Sequence, residues 1–435
     1  MPEQILILGA GLAGLSCAHH LGRACRILEK ENTVGGVART IERRGFHFDV
    51  TGHWLHLRDD GIRALVNRLI GPELITVERR AEIYSHGVRT PYPFQANTYG
   101  LPAEVVTECV VGFFAAREAE ASGSEPPPQT FEDYIRLKMG DGIARHFMIP
   151  YNTKLFTVPP SEMDFSWCGR FVPIPKPEDV VLGAVVPGGA NRALGYNATF
   201  EYPRCGGIAR LPQSLADSLD TDIRLGVAAR RLDWQQRHVE LDDGSRCAYD
   251  VLVSTMPLKD LVAMLTAPPE RVALAAAKLR AASVTYWDVG LRGANEPNDA
   301  HWIYFPEPRY PFYRIGSASA VVASVAPEGA RSHYVEVSHP QGTACPVDDQ
   351  QILDGMRAVG LIAADCEPML MERTTIDCAY VIADRVYGEA RALVLDWLRE
   401  QRILSVGRYG AWTYDSMEGA MIQGRRAAET IRDLT

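Results

Sequence analysis

Ile5-Leu6-Ile7-Leu8 runs straight into Gly9-Ala10-Gly11-Leu12-Ala13-Gly14, an apolar strand followed by glycines spaced G-x-G-x-x-G. Glu29 closes a second apolar stretch about one βαβ unit later. Each position has a physical reason: Gly9 permits a tight turn, Gly11 leaves room for a pyrophosphate to approach the backbone, and Gly14 lets a helix over 15–22 pack on the strand. The positive end of that helix faces the phosphates. Glu29 stands where a carboxylate accepts hydrogen bonds from a ribose diol and repels a 2′-phosphate, which favours FAD or NAD over NADP. The chain is therefore expected to start as an α/β domain that holds an adenine dinucleotide.

A second glycine turn, Gly35-Gly36-Val37-Ala38-Arg39, follows Glu29 almost at once and brings an arginine beside the same cofactor. This Glu-x(5)-Gly-Gly-x-x-Arg run resembles the glutathione-reductase-type FAD-binding Rossmann domain of amine oxidases, desaturases and sugar-nucleotide mutases. The resemblance makes FAD the expected cofactor, with Gly9, Gly11, Gly14, Glu29, Gly36 and Arg39 around it. No second G-x-G-x-x-G is present, so a separate pyridine-nucleotide domain is not expected, and an NAD(P)H reductant would have to enter the substrate cleft.

At 435 residues the chain is long enough for two or three joined domains, and 46% hydrophobic with 23% charged residues is ordinary for a soluble globular protein. A net charge of −9 without a lysine or arginine block argues against a nucleic-acid surface. The nine cysteines include no C-x-x-C pair and no metal-like His/Cys spacing, which points to a reducing cytoplasm and no metal. With the cofactor strand at the start of the sequence, no signal peptide is expected, and no apolar run is long enough to span a bilayer.

The order of patterns suggests five segments. Residues 1–75 read as the first part of the FAD domain, including the short strand Phe46-His47-Phe48-Asp49, and 76–175 as a mainly helical substrate and nucleotide unit. Residues 176–275 read as a return to the FAD domain, whose strand end at Ser254-Thr255 should lie near the cofactor. A second, antiparallel sheet is expected over 276–400, and 401–435 close the FAD domain with a strand, a glycine turn and a helix.

Beyond the fingerprint, Pro91-Tyr92-Pro93-Phe94-Gln95, Trp167, Asn197-Ala198-Thr199-Phe200, Gly290-Leu291-Arg292-Gly293, Trp302-Ile303-Tyr304-Phe305-Pro306, Tyr380 and Gly407-Arg408-Tyr409-Gly410 together resemble the UDP-galactopyranose mutases, particularly the longer eukaryotic type. The resemblance implies a non-redox use of FAD: reduced flavin attacks the anomeric carbon of a nucleotide sugar through N5, UDP leaves, and the opened sugar recloses as the furanose. Arg292 matches the arginine on the diphosphate, Tyr380 and Tyr414 match tyrosines whose hydroxyls reach it, and Tyr304 and Asn197 match residues near the sugar and nucleotide. Tyr92, Phe94 and Gln95 match the uracil pocket, with Trp167 beside it. Gly52 and His53 match the loop facing the flavin, while Arg408 and Met417 match the C-terminal turn and helix start under it.

The match departs in three places. The family's Gly-Gly-His is Thr51-Gly52-His53 here, Arg170 stands one position before the family's second diphosphate arginine, and the segment after Tyr414 is shorter than in the eukaryotic enzymes. A mutase acting on another nucleotide sugar, such as a TDP-deoxyhexose, keeps the same chemistry. An FAD oxidoreductase of the amine-oxidase or protoporphyrinogen-oxidase kind shares the N-terminal fingerprint, and a flavin-binding scaffold without turnover is a third reading. The partner implied is a nucleotide sugar, with homo-oligomer formation left open.

Overall fold

The computed structural model describes residues 4–123, 126–169, 171–188, 198–293 and 300–434. Its first layer is a five-stranded, wholly parallel sheet in the order Ile403–Ser405, Val251–Ser254, Ile5–Leu8, Arg26–Leu28, Asp222–Arg224. The two central strands are buried at every position, as a parallel sheet covered on both faces requires. Ile5 and Ile7 join the core on one face and Leu6 and Leu8 the core on the other, the period-two alternation of a strand.

On the first face the helix Leu12–Leu21 packs against Met417–Leu434. Gly424 makes that crossing close, because a Cβ there would sit 2.3 Å from the Ala13 carbonyl oxygen, and Ser16 Oγ donates to the Met421 carbonyl at 2.7 Å. The second face carries a three-stranded sheet (Ala229–Asp233, His238–Leu241, Arg246–Ala248) and the helices Leu258–Met264, Glu270–Lys278 and Tyr387–Glu400. At the strand ends, Thr255 donates through its backbone N–H and its hydroxyl to the Leu8 carbonyl, so the 254–255 turn closes over Gly9.

The second large sheet has seven strands in the order Leu370–Ile382, Arg280–Arg292, Ala330–Pro340, Arg314–Gly316, Trp302–Tyr304, Ala81–Ser85, Val88–Pro91. It is antiparallel except where Trp302–Tyr304 runs parallel to Ala81–Ser85. The sheet therefore draws two strands from the 76–175 segment expected to be mainly helical.

The helical unit comprises Ala103–Ser122, Phe131–Ile143, Ile149–Phe156 and Pro177–Val185. Thr130 caps the second of these in a capping box with Asp133, a device that satisfies the exposed N–H groups of the first turn. Pro177–Val185, in a range expected to return to the flavin domain, packs instead on Phe94–Ala96: Gly183 accepts from the Thr98 and Tyr99 N–H groups. All nine cysteines are free thiols. Among the described residues, no helix is long and apolar enough to cross a membrane, and no cluster of ligands suited to a metal ion occurs.

Candidate active site

The glycine fingerprint is the first part of the candidate cofactor cleft. Gly9 takes φ +103°, a backbone state that L side chains rarely adopt, and a Cβ on Gly14 would stand 2.0 Å from the Gly9 carbonyl oxygen. Gly11 is different. A Cβ there would meet only Gly35 O at 3.9 Å and Gly36 Cα at 4.0 Å, so protein packing does not demand the glycine, and the space beside it is open for a ligand. Glu29, only 6% exposed, accepts from the Ala10 N–H at 2.8 Å and the Glu31 N–H at 2.9 Å, which fixes its carboxylate at the end of the second strand. Gly36 (φ +61°) faces Gly11 across the turn, and Arg39 pairs with Glu31 at 3.4 Å. This cradle fits the adenine dinucleotide end of FAD.

A second part of the candidate site is formed by Thr51, Gly52 and His53. Thr51 occupies the left-handed region at φ +64°, and a Cβ on Gly52 would lie 2.3 Å from Tyr334 Oη. His53 Nδ1 is buried without a hydrogen-bond partner among the described residues, as expected of an atom that faces a cofactor. Burial, reinforced by the Arg408 guanidinium, pulls the imidazole down to about 4, so it is neutral at physiological pH. Trp54 stacks on Trp302 at 6.0 Å and 15°, and Met417, the first residue of the C-terminal helix, packs against the same apolar cluster.

A continuous wall of tyrosines is drawn from five parts of the chain. Tyr92 meets Tyr304 at 5.4 Å, Tyr304 meets Tyr151 at 5.3 Å, and Tyr151 meets Tyr313 at 6.4 Å between ring centres. Tyr313 Oη lies 3.4 Å from Tyr380 Oη, and Tyr380 stacks on Tyr414 at 6.0 Å. Trp167 continues the wall 5.5 Å from Tyr414, its indole N–H donating to the Asp164 carbonyl. Burial pushes the Tyr380 hydroxyl up to about 12 and raises that of Tyr304, so both stay protonated donors across the neutral range.

Two guanidinium groups face this wall. Arg408 donates to the Asp415 carbonyl at 2.7 Å and the Ala379 carbonyl at 3.0 Å, and lies over Tyr414 (4.9 Å) and Tyr380 (5.2 Å). It has no carboxylate at ion-pair distance among the described residues and keeps its full charge for the cleft. Arg314 is held by both carboxylate oxygens of Glu336, which is 1% exposed, and register sets Tyr304, Arg314 and Glu336 in one row across three strands. A third, Arg79, is 5% exposed and lies 4.6 Å over the Tyr92 ring.

Arg314, with Tyr151, Tyr313 and Arg79, was not among the candidates read from the sequence, and Arg292 is a candidate that the geometry corrects. Arg292 is exposed at the far end of the strand Arg280–Arg292, whereas Tyr380 pairs with Ala282, ten residues back. At a rise of about 3.3 Å per residue the two positions are roughly 33 Å apart, so Arg292 does not reach the tyrosine wall. Phe94 is also corrected: it is fully buried and stacked on Phe147 at 5.1 Å, in the core behind Tyr92. Gln95 is 2% exposed, with Nε2 donating to the Pro173 carbonyl at 2.6 Å and Oε1 left without a partner among the described residues. Arg170 and Asn197 lie outside the described residues.

Comparison with known proteins agrees with this geometry. Among solved structures, the chain is similar over its whole length to a reduced UDP-galactopyranose mutase (TM-score 0.92, 26% identity, 95% of that chain). A candidate protoporphyrinogen oxidase from Exiguobacterium sp. 255-15 shares the fold (TM-score 0.76, 16% identity, the whole of both chains), as does a putrescine oxidase bound to putrescine (TM-score 0.69, 17% identity, 99% of each chain). In sequence, 123 residues are 30% identical to phytoene dehydrogenase of Streptomyces griseus, a match spanning 27% of this chain and 23% of that protein. The family model for flavin containing amine oxidoreductases matches residues 12–344, well over half of the chain. The fold is thus that of an FAD-dependent enzyme close in structure to UDP-galactopyranose mutase, the cofactor is FAD, and the chain belongs to the flavin-containing amine oxidoreductase family.

Proposed function

We propose that this protein is an FAD-dependent mutase that interconverts the pyranose and furanose forms of a nucleotide sugar, with UDP-galactose the first substrate to test. The observation that carries the reading is the pairing of a tyrosine wall with two half-buried guanidinium groups, Arg314 and Arg408, beside the Thr51–His53 loop. Hydroxyl donors and fixed cations suit a diphosphate, which is both the handle by which a nucleotide sugar is held and the leaving group of the reaction. When bound, reduced FAD supplies an electron-rich nitrogen nucleophile.

The chain's own residues do the rest. Arg408 neutralises charge on the departing diphosphate, Arg314, held in place by Glu336, turns N–H donors to it, and the Tyr380 and Tyr414 hydroxyls donate to its oxygens. Neutral His53 adds no cation beside the ring, and Trp54, Trp302 and Tyr334 exclude water from the sugar end. Tyr92 and Gln95 are assigned to the base.

The second reading, oxidation of an amine, follows from the family and from the putrescine oxidase likeness. The electrostatics disfavour it: an ammonium substrate would enter a cleft that holds the Arg408 guanidinium, which no carboxylate among the described residues pairs, while the charge of Arg314 is balanced by Glu336. The deciding experiment is to reduce the purified protein with dithionite, add UDP-galactofuranose, and follow UDP-galactopyranose by anion-exchange chromatography against an oxidised control. Conversion in the reduced sample alone is the expected result. Hydrogen peroxide release from an amine with no conversion of UDP-, TDP- or GDP-sugars would replace the mutase reading with the oxidase one.

A further inference from the structure

Lys154, in the helix Ile149–Phe156, points its ammonium into a cage of four main-chain carbonyl oxygens: Phe305 at 2.8 Å, Glu307 at 3.1 Å, Tyr310 at 2.9 Å and Phe312 at 2.6 Å. All four belong to the connection between the strands Trp302–Tyr304 and Arg314–Gly316. That connection is bracketed by residues of the cleft, with Tyr304 immediately before it and Tyr313 and Arg314 immediately after. The helix that carries Lys154 also carries Tyr151, whose ring meets both Tyr304 and Tyr313.

Burial pulls the Lys154 amine down toward about 7. Four acceptors converging on one nitrogen act in the opposite direction, since a neutral amine would turn its lone pair toward a carbonyl oxygen. The site is chemically a monovalent-cation cage whose cation is tethered to the neighbouring unit. Removing the ammonium would leave four carbonyl dipoles aimed at one another, and the loop would open to hydrate them.

We propose that Lys154 is a positioning residue, whose ammonium gathers the 305–312 loop and thereby sets Tyr304, Tyr313 and Arg314 for the diphosphate of the nucleotide sugar. This inference rests on the mutase reading for its ligand, but not for its mechanical part. The Lys154→Ala variant deletes the equivalent of n-propylammonium, and Lys154→Met keeps the aliphatic stem while removing the charge. Each flavin-loaded variant is compared with the native protein in amide hydrogen exchange over 305–316 and in UDP binding by fluorescence titration, with and without n-propylammonium.

The expected result is faster exchange over 305–316 in both variants, unchanged FAD content, and UDP affinity lower by about tenfold or more. Added n-propylammonium should restore both signals in Lys154→Ala, and potassium should do so in part, because carbonyl cages replace its hydration shell. Native exchange rates in both variants, or a loss in Lys154→Ala that n-propylammonium does not repair and Lys154→Met does not share, would overturn the proposal in favour of stem packing. Native protein that fails to bind UDP while the variants still loosen the loop would sink the mutase reading and leave the positioning role intact.

Discussion

Arg314 and Arg292 separate two ways in which an arginine stands near a sheet. The first is bidentate to a buried glutamate and faced by tyrosines; the second is the exposed last residue of a strand whose interior is buried. Arg314→Lys, which keeps the charge and loses the planar fork, should weaken UDP binding by about tenfold to a hundredfold, measured by titration calorimetry. Arg292→Ala should leave kinetics unchanged and shift stability by no more than about 0.5 kcal/mol, reversing what its Gly-Leu-Arg-Gly context suggests. Gly11→Val should fold and purify without FAD, because its side chain fills ligand space rather than protein space; absorbance near the flavin band against protein content reads this directly. Full flavin loading in that variant would mean that the pyrophosphate lies elsewhere. The legible residues were those whose role is local. Gly9, Gly14 and Glu29 are set by a strand, a turn and a helix within thirty residues, all of which the chain spells out in order. Arg314 owes its place to cross-strand register with Tyr304 and Glu336, and no spacing along the chain reveals that.

The same distinction holds for elements. The fingerprint strand and helix, the strand Phe46–Asp49 and the C-terminal helix were readable because their hydrophobic period declares them. Ala81–Ser85 and Val88–Pro91 were lost in a segment expected to be helical: they pair with each other as a hairpin, and the sheet that Ala81–Ser85 joins through Trp302–Tyr304 lies more than two hundred residues away. Helix contact in the flavin domain depends on a position the fingerprint does not include. Gly424→Ala should destabilise the protein by about 1–3 kcal/mol in urea unfolding, because its methyl group would press on the Ala13 carbonyl and the Cys17 amide. An unchanged midpoint would show that the two helices slide apart at little cost.

For the whole molecule, one source of pH sensitivity lies in the core of the seven-stranded sheet. Asp288, on the long central strand of the seven-stranded sheet, is 1% exposed, and burial pushes its carboxyl up to about 7 despite Arg43 at 3.3 Å. Its folded value lies above its unfolded one. The stability it contributes is therefore complete below about pH 4 and is lost as pH rises through about 7, with a limiting slope of about 1.4 kcal/mol per pH unit. Asp288→Asn should lack this component, so its stability difference from the native protein should widen in its favour between pH 4 and 7. Denaturant midpoints taken across that range would show parallel curves if the carboxyl were ionised throughout. The sheet that holds the fingerprint has a consequence for biosynthesis. Its strands are collected from residues 5–8, 26–28, 222–224, 251–254 and 403–405, so the last edge emerges from the ribosome almost four hundred residues after the first. A nascent chain can display the complete Gly9–Gly14 turn for most of its synthesis without a finished sheet behind it, and cofactor capture becomes a late event that waits on the C-terminal strand.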